Sequence, residues 1–359
     1  MIALPPIVDS HHHLWMALEG FHQHAYRVED YVADASGLVR ATVFVECNTA
    51  YDRSLPGPLQ STGETRFAAA LATHIPGGPD MIEAIVAHAD PLAEMAFEAI
   101  VDAHLAVAGG RLRGIRRSAA WDEDTSLVYA VLETHRTMLA DSRFATALRA
   151  LVERELLFET WIYHHQLDEL AALARACPDC PIVLDHAGTP LASGRHAGSS
   201  LTWPEWRDGM ARLAERPNVH VKIGGFCVPG TSVDAVRIAQ GLERWTAKAL
   251  ADALQPWLEH LLACFGAERC LFESNFPIDR LTCDFQELVQ AYSMALSGLD
   301  EAKRTALFGG NAARLYRIES AAWRPLDSGA LLPLYCHGAQ PEGLIDASAV
   351  DRGGLPRKS

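Results

Sequence analysis

Positive charge is in short supply in this sequence. It holds 31 Lys and Arg residues against 45 Asp and Glu residues, so its formal net charge is −14 at pH 7 with neutral histidines. A chain this acidic, without a basic cluster, is poorly suited to the phosphates of nucleic acid or to an anionic membrane surface. We therefore expect neither nucleic acid nor a membrane among its partners.

Long apolar runs and a secretion signal are missing as well. No stretch reaches the roughly 18 consecutive apolar residues of a membrane-spanning helix, and the first residues do not show the basic-then-apolar order of a signal peptide. These absences predict a cytoplasmic protein whose 8 cysteines are free thiols. Cys177 and Cys180 have C-x-x-C spacing, but the second pair that a zinc site needs is lacking.

Short apolar runs alternate with longer segments in which apolar residues recur at helical spacing, as in residues 81–108. Strands that are apolar on both faces and separated by helices predict a parallel sheet of the α/β class. Eight such units fit a (β/α)₈ TIM barrel, with a doubly wound open sheet as the alternative. The predicted strands are residues 7–13, 41–47, 66–73, 112–117, 156–162, 181–187, 219–224 and 270–276.

The pattern changes after Tyr316, where Gly, Pro, Ala and Ser become frequent and no apolar period continues. We therefore assign residues 1–318 to the barrel. Residues 319–359 are predicted to be a C-terminal extension and not a separate domain. A homo-oligomer formed through this extension is one expectation.

Polar side chains gather at the carboxyl ends of the predicted strands. His11 and His13 share one face of the first strand, close enough to hold one metal ion or one substrate oxygen. In a barrel, catalytic residues come from the ends of several strands, so an active site is predicted at this end. The other polar residues there are Glu46, Arg116, Arg117, Trp161, Tyr163, Asp185, His186, Lys222, Glu273 and Asn275.

Only one of Arg116 and Arg117 can face the barrel interior, and we expect that guanidinium to bind a substrate carboxylate or hydroxyl. The other is expected to pair in a loop or on the surface. Asp185 should point away from the interior, because it alternates with His186 along the strand.

Four further residues are candidates for contact with substrate. Lys222 is expected either to pair with Glu273 or Glu46 or to contact substrate, and Glu46 is expected to be mainly structural. Trp161 and Tyr163 are predicted to reach the substrate, because the fifth strand delivers them to the mouth of the barrel.

Six motifs identify the chain as similar to the amidohydrolase superfamily, in the branch that contains 2-pyrone-4,6-dicarboxylate lactonases and sugar-acid lactonases. They follow the family order across the barrel and leave the C-terminal extension uncovered. The motifs are VDSHHHLW at 8–15, LRGIRR at 112–117, VLDHAGTP at 183–190, NVHVKIGG at 218–225, LFESNFPID at 271–279 and GGNAARLYRI at 309–318.

The resemblance implies a distorted barrel with its site at the carboxyl-terminal face, and it carries catalytic roles to His11, His13 and His186. Asn275 stands where the family has an aspartate that takes a proton from the attacking water. Because an amide cannot take that proton, Glu273 is the candidate base. On this view Asn275→Asp should retain or raise activity.

The resemblance also bears on cofactor and reaction. The fifth strand lacks the family's metal-binding histidine and the fourth lacks its lysine, so the chain is expected to hold either no metal or one divalent ion. Zinc on His11, His13 and His186 is the first candidate.

The predicted activity is hydrolysis of a lactone or similar cyclic ester of a small sugar acid or dicarboxylic acid, with the carbonyl polarised by the histidines. The alternatives are a one-metal decarboxylase of an unsaturated or aromatic acid and a ligand-binding barrel without activity.

Overall fold

Eight parallel strands in sequential order, with helices between them, form the structure, a computed structural model that describes residues 4–16, 24–72 and 80–319. This confirms the predicted (β/α)₈ barrel. The strands are β1 (Ile7–His12), β2 (Val39–Val45), β3 (Asp80–His88), β4 (Leu112–Arg116), β5 (Leu157–Thr160), β6 (Ile182–Leu184), β7 (Val219–Lys222) and β8 (Cys270–Leu271).

The α-helices surround the strands. They are α1 (Val28–Ala35), α2 (Thr62–Leu71), α3 (Phe97–Val107), α4 (Ser142–Val152), α5 (Leu167–Ala176), α6 (Thr202–Ala214), α7 (Ser232–Ala239), α8 (Ala247–Phe265), α9 (Phe285–Ala295), α10 (Glu301–Thr305) and α11 (Asn311–Leu315). No helix in the described part of the chain is long and apolar enough to pass through a membrane.

Hydrogen bonds between β1 and the segment after β8 bring the two ends of the sheet together. The His13 amide donates to the Phe276 carbonyl at 2.8 Å, and the Asn275 amide donates to the His11 carbonyl at 2.9 Å. The buried Asp9 carboxylate accepts from the Ser274 amide at 2.8 Å and from the Ser274 hydroxyl at 2.6 Å. Residues 274–276 are therefore held against β1, which places their side chains next to the histidines.

The third strand was predicted at the wrong place. Residues 66–73 were expected to be a strand, but α2 occupies most of them, and β3 lies in a segment predicted as the start of a helix. Alternation of apolar residues does not separate a short strand from a buried helix turn. The alanine-rich run 68–70 favours helix, whereas Ile82, Ile85 and Val86 are β-branched and fit a buried strand.

Apolar side chains fill the lower part of the barrel interior, and the last helix covers its lower end. Val8, Val43 and Val86 pack in this interior together with Tyr316, which follows α11 and is wholly buried. The last helical segment of the barrel consists of α10 and α11, joined by a π-helical turn at Ala306–Gly310. Residues 320–359, with most of the predicted extension and its role in a homo-oligomer, lie outside the described residues.

Cys177 and Cys180 lie at the end of α5 and just before β6 as free thiols, as expected. Both are buried, and burial raises the pKa of each thiol. The pair therefore has a structural position between a helix and a strand.

Two glycines after β7 let the backbone approach the neighbouring strand ends. A Cβ on Gly224 would lie 2.2 Å from Cγ of Glu273, and a Cβ on Gly225 would lie 2.6 Å from the His186 side chain. Gly225 also has φ +66°, a conformation that L residues with a side chain avoid. The space for Glu273 and His186 therefore depends on these glycines.

We expect Gly225→Ala to lower the free energy of unfolding by roughly 2–5 kcal/mol, since left-handed strain and overpacking add together. Gly37→Ala is the matched control, because Gly37 has φ +74° with nothing within 4 Å of the new Cβ, so it should lose only about 1–2 kcal/mol. Urea unfolding measures both. Equal losses in the two variants would contradict the close approach.

Candidate active site

Three histidines meet at the carboxyl-terminal mouth of the barrel. The ring centroids of His11 and His13 are 4.8 Å apart, and those of His11 and His186 are 4.6 Å apart. His11 is completely buried, whereas His13 and His186 keep 5% and 6% of their surface exposed. The structure thus brings the three predicted residues together, with His13 and His186 nearer to the solvent.

Hydrogen bonds assign the proton positions on two of these rings. His13 Nδ1 lies 2.8 Å from the Val45 carbonyl, so Nδ1 carries the proton and Nε2 accepts. His11 Nε2 is 3.2 Å from that His13 Nε2 and must therefore donate. His11 Nδ1 then accepts from the Lys222 ammonium at 3.1 Å. Burial, together with the charge of Lys222, keeps the pKa of His11 well below its usual value, so this ring is neutral.

Glu273 lies beneath His186 and His11. Its Oε1 accepts from His186 Nδ1 at 2.9 Å, and its Oε2 lies 3.2 Å from His11 Nδ1. Burial opposes the charged form of His186, but the charge and hydrogen bond of Glu273 outweigh burial and raise the pKa of His186. Glu273 is itself 0% exposed. It therefore orients His186 and favours its protonated form without reaching the mouth.

Lys222 is wholly buried at the end of β7, among carboxylates. Its ammonium contacts Glu159 of β5 and lies 3.3 Å from Asp185 Oδ1. Glu159 also accepts from the Tyr316 hydroxyl at 3.1 Å. Of the two predicted options for Lys222, pairing is the one observed, but its partners are Glu159 and Asp185 rather than Glu273 or Glu46.

Asp185 faces the barrel interior, contrary to the expectation from strand alternation. β6 ends at Leu184, and a tight turn follows in which His186 has φ +53° and Ala187 has φ +47°. This turn breaks the alternation, so Asp185 and His186 both point inward. Burial raises the pKa of Asp185 to about 7, although Arg116 opposes the shift.

Arg116 is the arginine that faces the interior. Its Nε donates to Asp185 Oδ2 at 2.8 Å, and its Nη1 donates to the carbonyl and the carboxylate of Glu46 at 3.1 and 3.3 Å. Arg116 is 6% exposed, and its Nη2 makes no hydrogen bond with the described residues. One edge of the guanidinium is thus available to a ligand, and Glu46 lies against the other side as a partner of Arg116.

Arg117 points away from the histidines. Its guanidinium donates to the carbonyls of Ser118 and Leu132 at 2.9 and 2.7 Å and lies 3.2 Å from Asp90. This is the loop-pairing role that was expected for one member of the arginine pair.

The two aromatic residues after β5 differ in their distance from the histidines. The Trp161 ring lies 6.2 Å from the His186 ring, and its Nε1 donates to the Thr189 hydroxyl at 2.8 Å. Tyr163 is one ring further out, 5.7 Å from Trp161, and only 2% exposed. Trp161 thus forms part of the wall of the site, and Tyr163 supports Trp161.

Asn275 has φ +54°, a conformation that Asn tolerates better than most residues. Its Nδ2 donates to Asp279 Oδ1 at 2.8 Å, and burial raises the pKa of Asp279 to about 7. The amide of Asn275 is therefore engaged with a buried carboxylate that the sequence reasoning did not single out.

Glu159, Asp185 and Asp279 are the functional candidates that sequence reasoning missed or misplaced. Glu159 had a usable signal, since an acid inside the apolar run Leu157–Phe158 needs a buried partner. Asp279 had no comparable signal, because it follows a turn whose direction only the folded chain shows.

The donor set at the histidines fits one divalent ion. His11, His186 and Glu273 each offer one ligand atom, and these atoms lie within 4.8 Å of one another. Glu273 Oε2 is buried without a hydrogen-bond partner, which leaves a carboxylate oxygen to coordinate a cation. Imidazole with carboxylate is a donor set that zinc uses. This set differs from the predicted one in having Glu273 where His13 was expected.

Comparisons with known proteins agree with this architecture. The family model described as Amidohydrolase matches residues 8–318. The uncharacterized protein y4mH of Sinorhizobium fredii is 28% identical over 335 residues, which are 87% of this chain and 98% of that protein. The L-fucono-1,5-lactonase of Burkholderia ambifaria is 30% identical over 179 residues, which are 48% of this chain and 54% of that enzyme.

Solved structures show the same fold. An amidohydrolase of Burkholderia multivorans, solved with bound zinc, has a TM-score of 0.67 at 22% identity, over 88% of this chain and 100% of that one. A putative 2-pyrone-4,6-dicarboxylic acid hydrolase of Pseudomonas putida has a TM-score of 0.57 at 20% identity, over 89% and 100% of the two chains. The chain belongs to the amidohydrolase family and is a hydrolase.

Proposed function

We propose that this enzyme hydrolyses a lactone or similar cyclic ester of a small sugar acid or dicarboxylic acid. The observation that carries the proposal is the Glu273–His186 pair, a buried carboxylate that holds a more exposed imidazole by its Nδ1 proton at 2.9 Å. The L-fucono-1,5-lactonase relative and the 2-pyrone-4,6-dicarboxylic acid hydrolase fold neighbour support the class of substrate.

His186 is the proposed proton carrier. Because its Nδ1–H is donated to Glu273, its Nε2 has a free lone pair that can take a proton from water as the water oxygen attacks the lactone carbonyl. Glu273 stabilises the imidazolium that results, as the carboxylate of a catalytic triad does. Cleavage of the ring C–O bond then returns the proton from His186 to the leaving oxygen, which gives the open hydroxy acid. Glu273 thus takes part as a positioning residue rather than as the base.

Two donors remain for oxygen atoms of the substrate. His11 can redirect its Nε2–H hydrogen bond from His13 Nε2 to the carbonyl oxygen. That hydrogen bond would stabilise the negative charge that develops on the carbonyl oxygen. The open edge of Arg116 suits the carboxylate or hydroxyl of an acidic substrate. A divalent ion held by His11, His186 and Glu273 would replace these hydrogen bonds, and it would supply Lewis-acid polarisation of that carbonyl.

Replacing Glu273 with Gln is expected to lower kcat by roughly 10²–10⁴-fold, since the imidazolium of His186 loses its counter-charge. His186→Gln should cost at least as much. If Glu273 acts through His186, the double variant should be no slower than His186→Gln alone, because the two residues work as one unit. The measurement is proton release from L-fucono-1,5-lactone and from 2-pyrone-4,6-dicarboxylate.

Glu215→Gln, an exposed change away from the mouth, is the control and should leave kcat unaltered. If the fold-losses in kcat of the two single variants multiply in the double variant, Glu273 does not act through His186. Failure of the wild-type protein to hydrolyse lactones of either type would contradict the proposed activity itself.

Asn275→Asp has a different expected outcome once the structure is considered. The new carboxylate would lie against Asp279, at the position where Nδ2 now donates. We expect a loss of roughly 3–5 kcal/mol in the free energy of unfolding at pH 8, the cost of an uncompensated buried charge. The loss should be smaller at pH 5. The pKa of the buried carboxyl pair is higher in the folded protein than in the unfolded chain, so stability falls as the pH rises above the pKa of the unfolded chain.

Thermal melts at the two pH values measure this effect. The swapped variant Asn275→Asp/Asp279→Asn keeps one acid and one amide, so it is the matched control and should recover most of the stability. A single Asn275→Asp variant as stable as the wild type at pH 8, with raised activity, would contradict the structural expectation and support the family's aspartate role at this position.

A further inference from the structure

A second group of metal-ligating side chains lies at the mouth of the barrel, apart from the three central histidines. Asp122 follows β4, His165 follows β5, and His196 lies in the loop after β6. Their donor atoms all lie within 4.8 Å of one another. Asp122 is 1% exposed and His196 is 9% exposed, whereas the side chain of His165 is 22% exposed, so two of the three donors are buried and the third faces the solvent.

The contacts of Asp122 explain part of this cluster. Its Oδ1 accepts from the Asp124 amide at 2.8 Å and from Arg195 Nε at 2.6 Å. Its Oδ2 accepts from His196 Nε2 at 2.8 Å and lies 3.6 Å from His165 Nε2. The hydrogen bonds from Arg195 and His196 overcome burial and hold the pKa of Asp122 low, at about 2, so the carboxylate is charged.

Some ring nitrogens of the histidines in and around this cluster have no hydrogen-bond partner. His165 Nδ1 and His164 Nε2 are both buried without a hydrogen-bond partner. The His164 ring lies 5.2 Å from His165 and 5.0 Å from His196, and the His165 and His196 rings are stacked 5.6 Å apart. Three imidazoles packed around one carboxylate are more than is needed to tie the loops together.

The spacing suits a small divalent ion. Ligand atoms of a tetrahedral zinc site lie about 3.3 Å apart, given bonds of about 2.0–2.1 Å. The distances from Asp122 Oδ2 to the two Nε2 atoms, 2.8 and 3.6 Å, fall on either side of that value.

The geometry points to a second metal site, which binds zinc or a similar divalent transition ion through Asp122 Oδ2, His165 Nε2 and His196 Nε2. In the bound form His165 Nε2 exchanges its contact with the Trp121 carbonyl, now 3.0 Å, for the ion. Each ring then carries its proton on Nδ1, and water completes the coordination.

The position of this site indicates a structural role. The ion would join the loops that follow β4, β5 and β6, which surround the mouth. Tyr163 lies 6.2 Å from the His165 ring, and Trp161 stands between Tyr163 and His186. The second site would therefore hold the wall of the active site in place without contacting the substrate.

Zinc titration of the full-length, chelator-treated protein tests the proposal by calorimetry, with zinc per chain also measured by elemental analysis. His196→Gln and His165→Gln should each bind one zinc equivalent fewer than the wild type, or bind that equivalent at least about 10-fold more weakly. His135→Gln is the matched control, because His135 is exposed in the same face of loops, and it should bind as the wild type does.

Visible absorption of bound Co²⁺ gives a second readout, in which both ligand variants should lose the tetrahedral spectrum of one ion. His11→Gln separates the two sites, because it disturbs only the central set. Zinc binding that is equal in wild type, His165→Gln and His196→Gln would overturn the second site. The second site would also be overturned if His11→Gln alone abolished all of the zinc binding seen in the wild type. Two ligand variants are used so that a folding defect in one does not decide the result.

Discussion

The buried side chain of Lys222 is the group around which the rest of the site is arranged, and burial lowers the pKa of its amine well below the usual value. It lies 0% exposed inside the barrel, and only nearby carboxylates make such burial tolerable. Glu159 on β5 and Asp185, just after β6, are the carboxyl groups that lie against it. Because Lys222 also donates to His11 Nδ1, it decides which nitrogen of His11 carries a proton. That choice sets the direction of the His11–His13 hydrogen bond in turn.

Such a cluster is costly to bury, and it contributes orientation rather than net stability. Its members come from the ends of seven strands, all except β3, and the charged members pair with groups from other strands. Arg116 joins Asp185 to Glu46, and Glu273 joins β8 to His186. The partly exposed imidazoles are thus held in place by groups that are fully buried. This is the preorganisation that stabilisation of developing charge requires.

The amide at position 275 fits this arrangement. Where the family has an acid, this chain places the acid one layer deeper, at Glu273, and one turn later, at Asp279. Gly224 and Gly225 leave the room that Glu273 and His186 occupy. In the proposed mechanism the imidazole of His186 accordingly carries the proton. The Glu273 carboxylate acts through its hydrogen bond to Nδ1 of that imidazole.

Several features of the fold and of the site could be predicted from local sequence patterns. The barrel, seven of its eight strands, the convergence of His11, His13 and His186, and the different surroundings of Arg116 and Arg117 follow from apolar period and strand-end position. The third strand was misplaced because residues 66–73 and 80–88 are both short and apolar, and pattern alone does not rank helix against strand there. Asp185 was misplaced because β6 ends at Leu184, before the predicted strand end at residue 187, and the tight turn that follows breaks the alternation.

Strand period and motif order are local properties, so they were enough to establish the fold class, the family and the identity of the histidines at the mouth. Which charges meet depends on the folded chain. Lys222 and Glu159 are 63 residues apart in the chain, and Asp122 and His196 are 74 apart. Pairing over such distances depends on strand register and on the paths of loops, which no local pattern contains. The roles of Glu159, Asp185 and Asp279, and the second cluster of histidines, therefore became visible only in the folded chain.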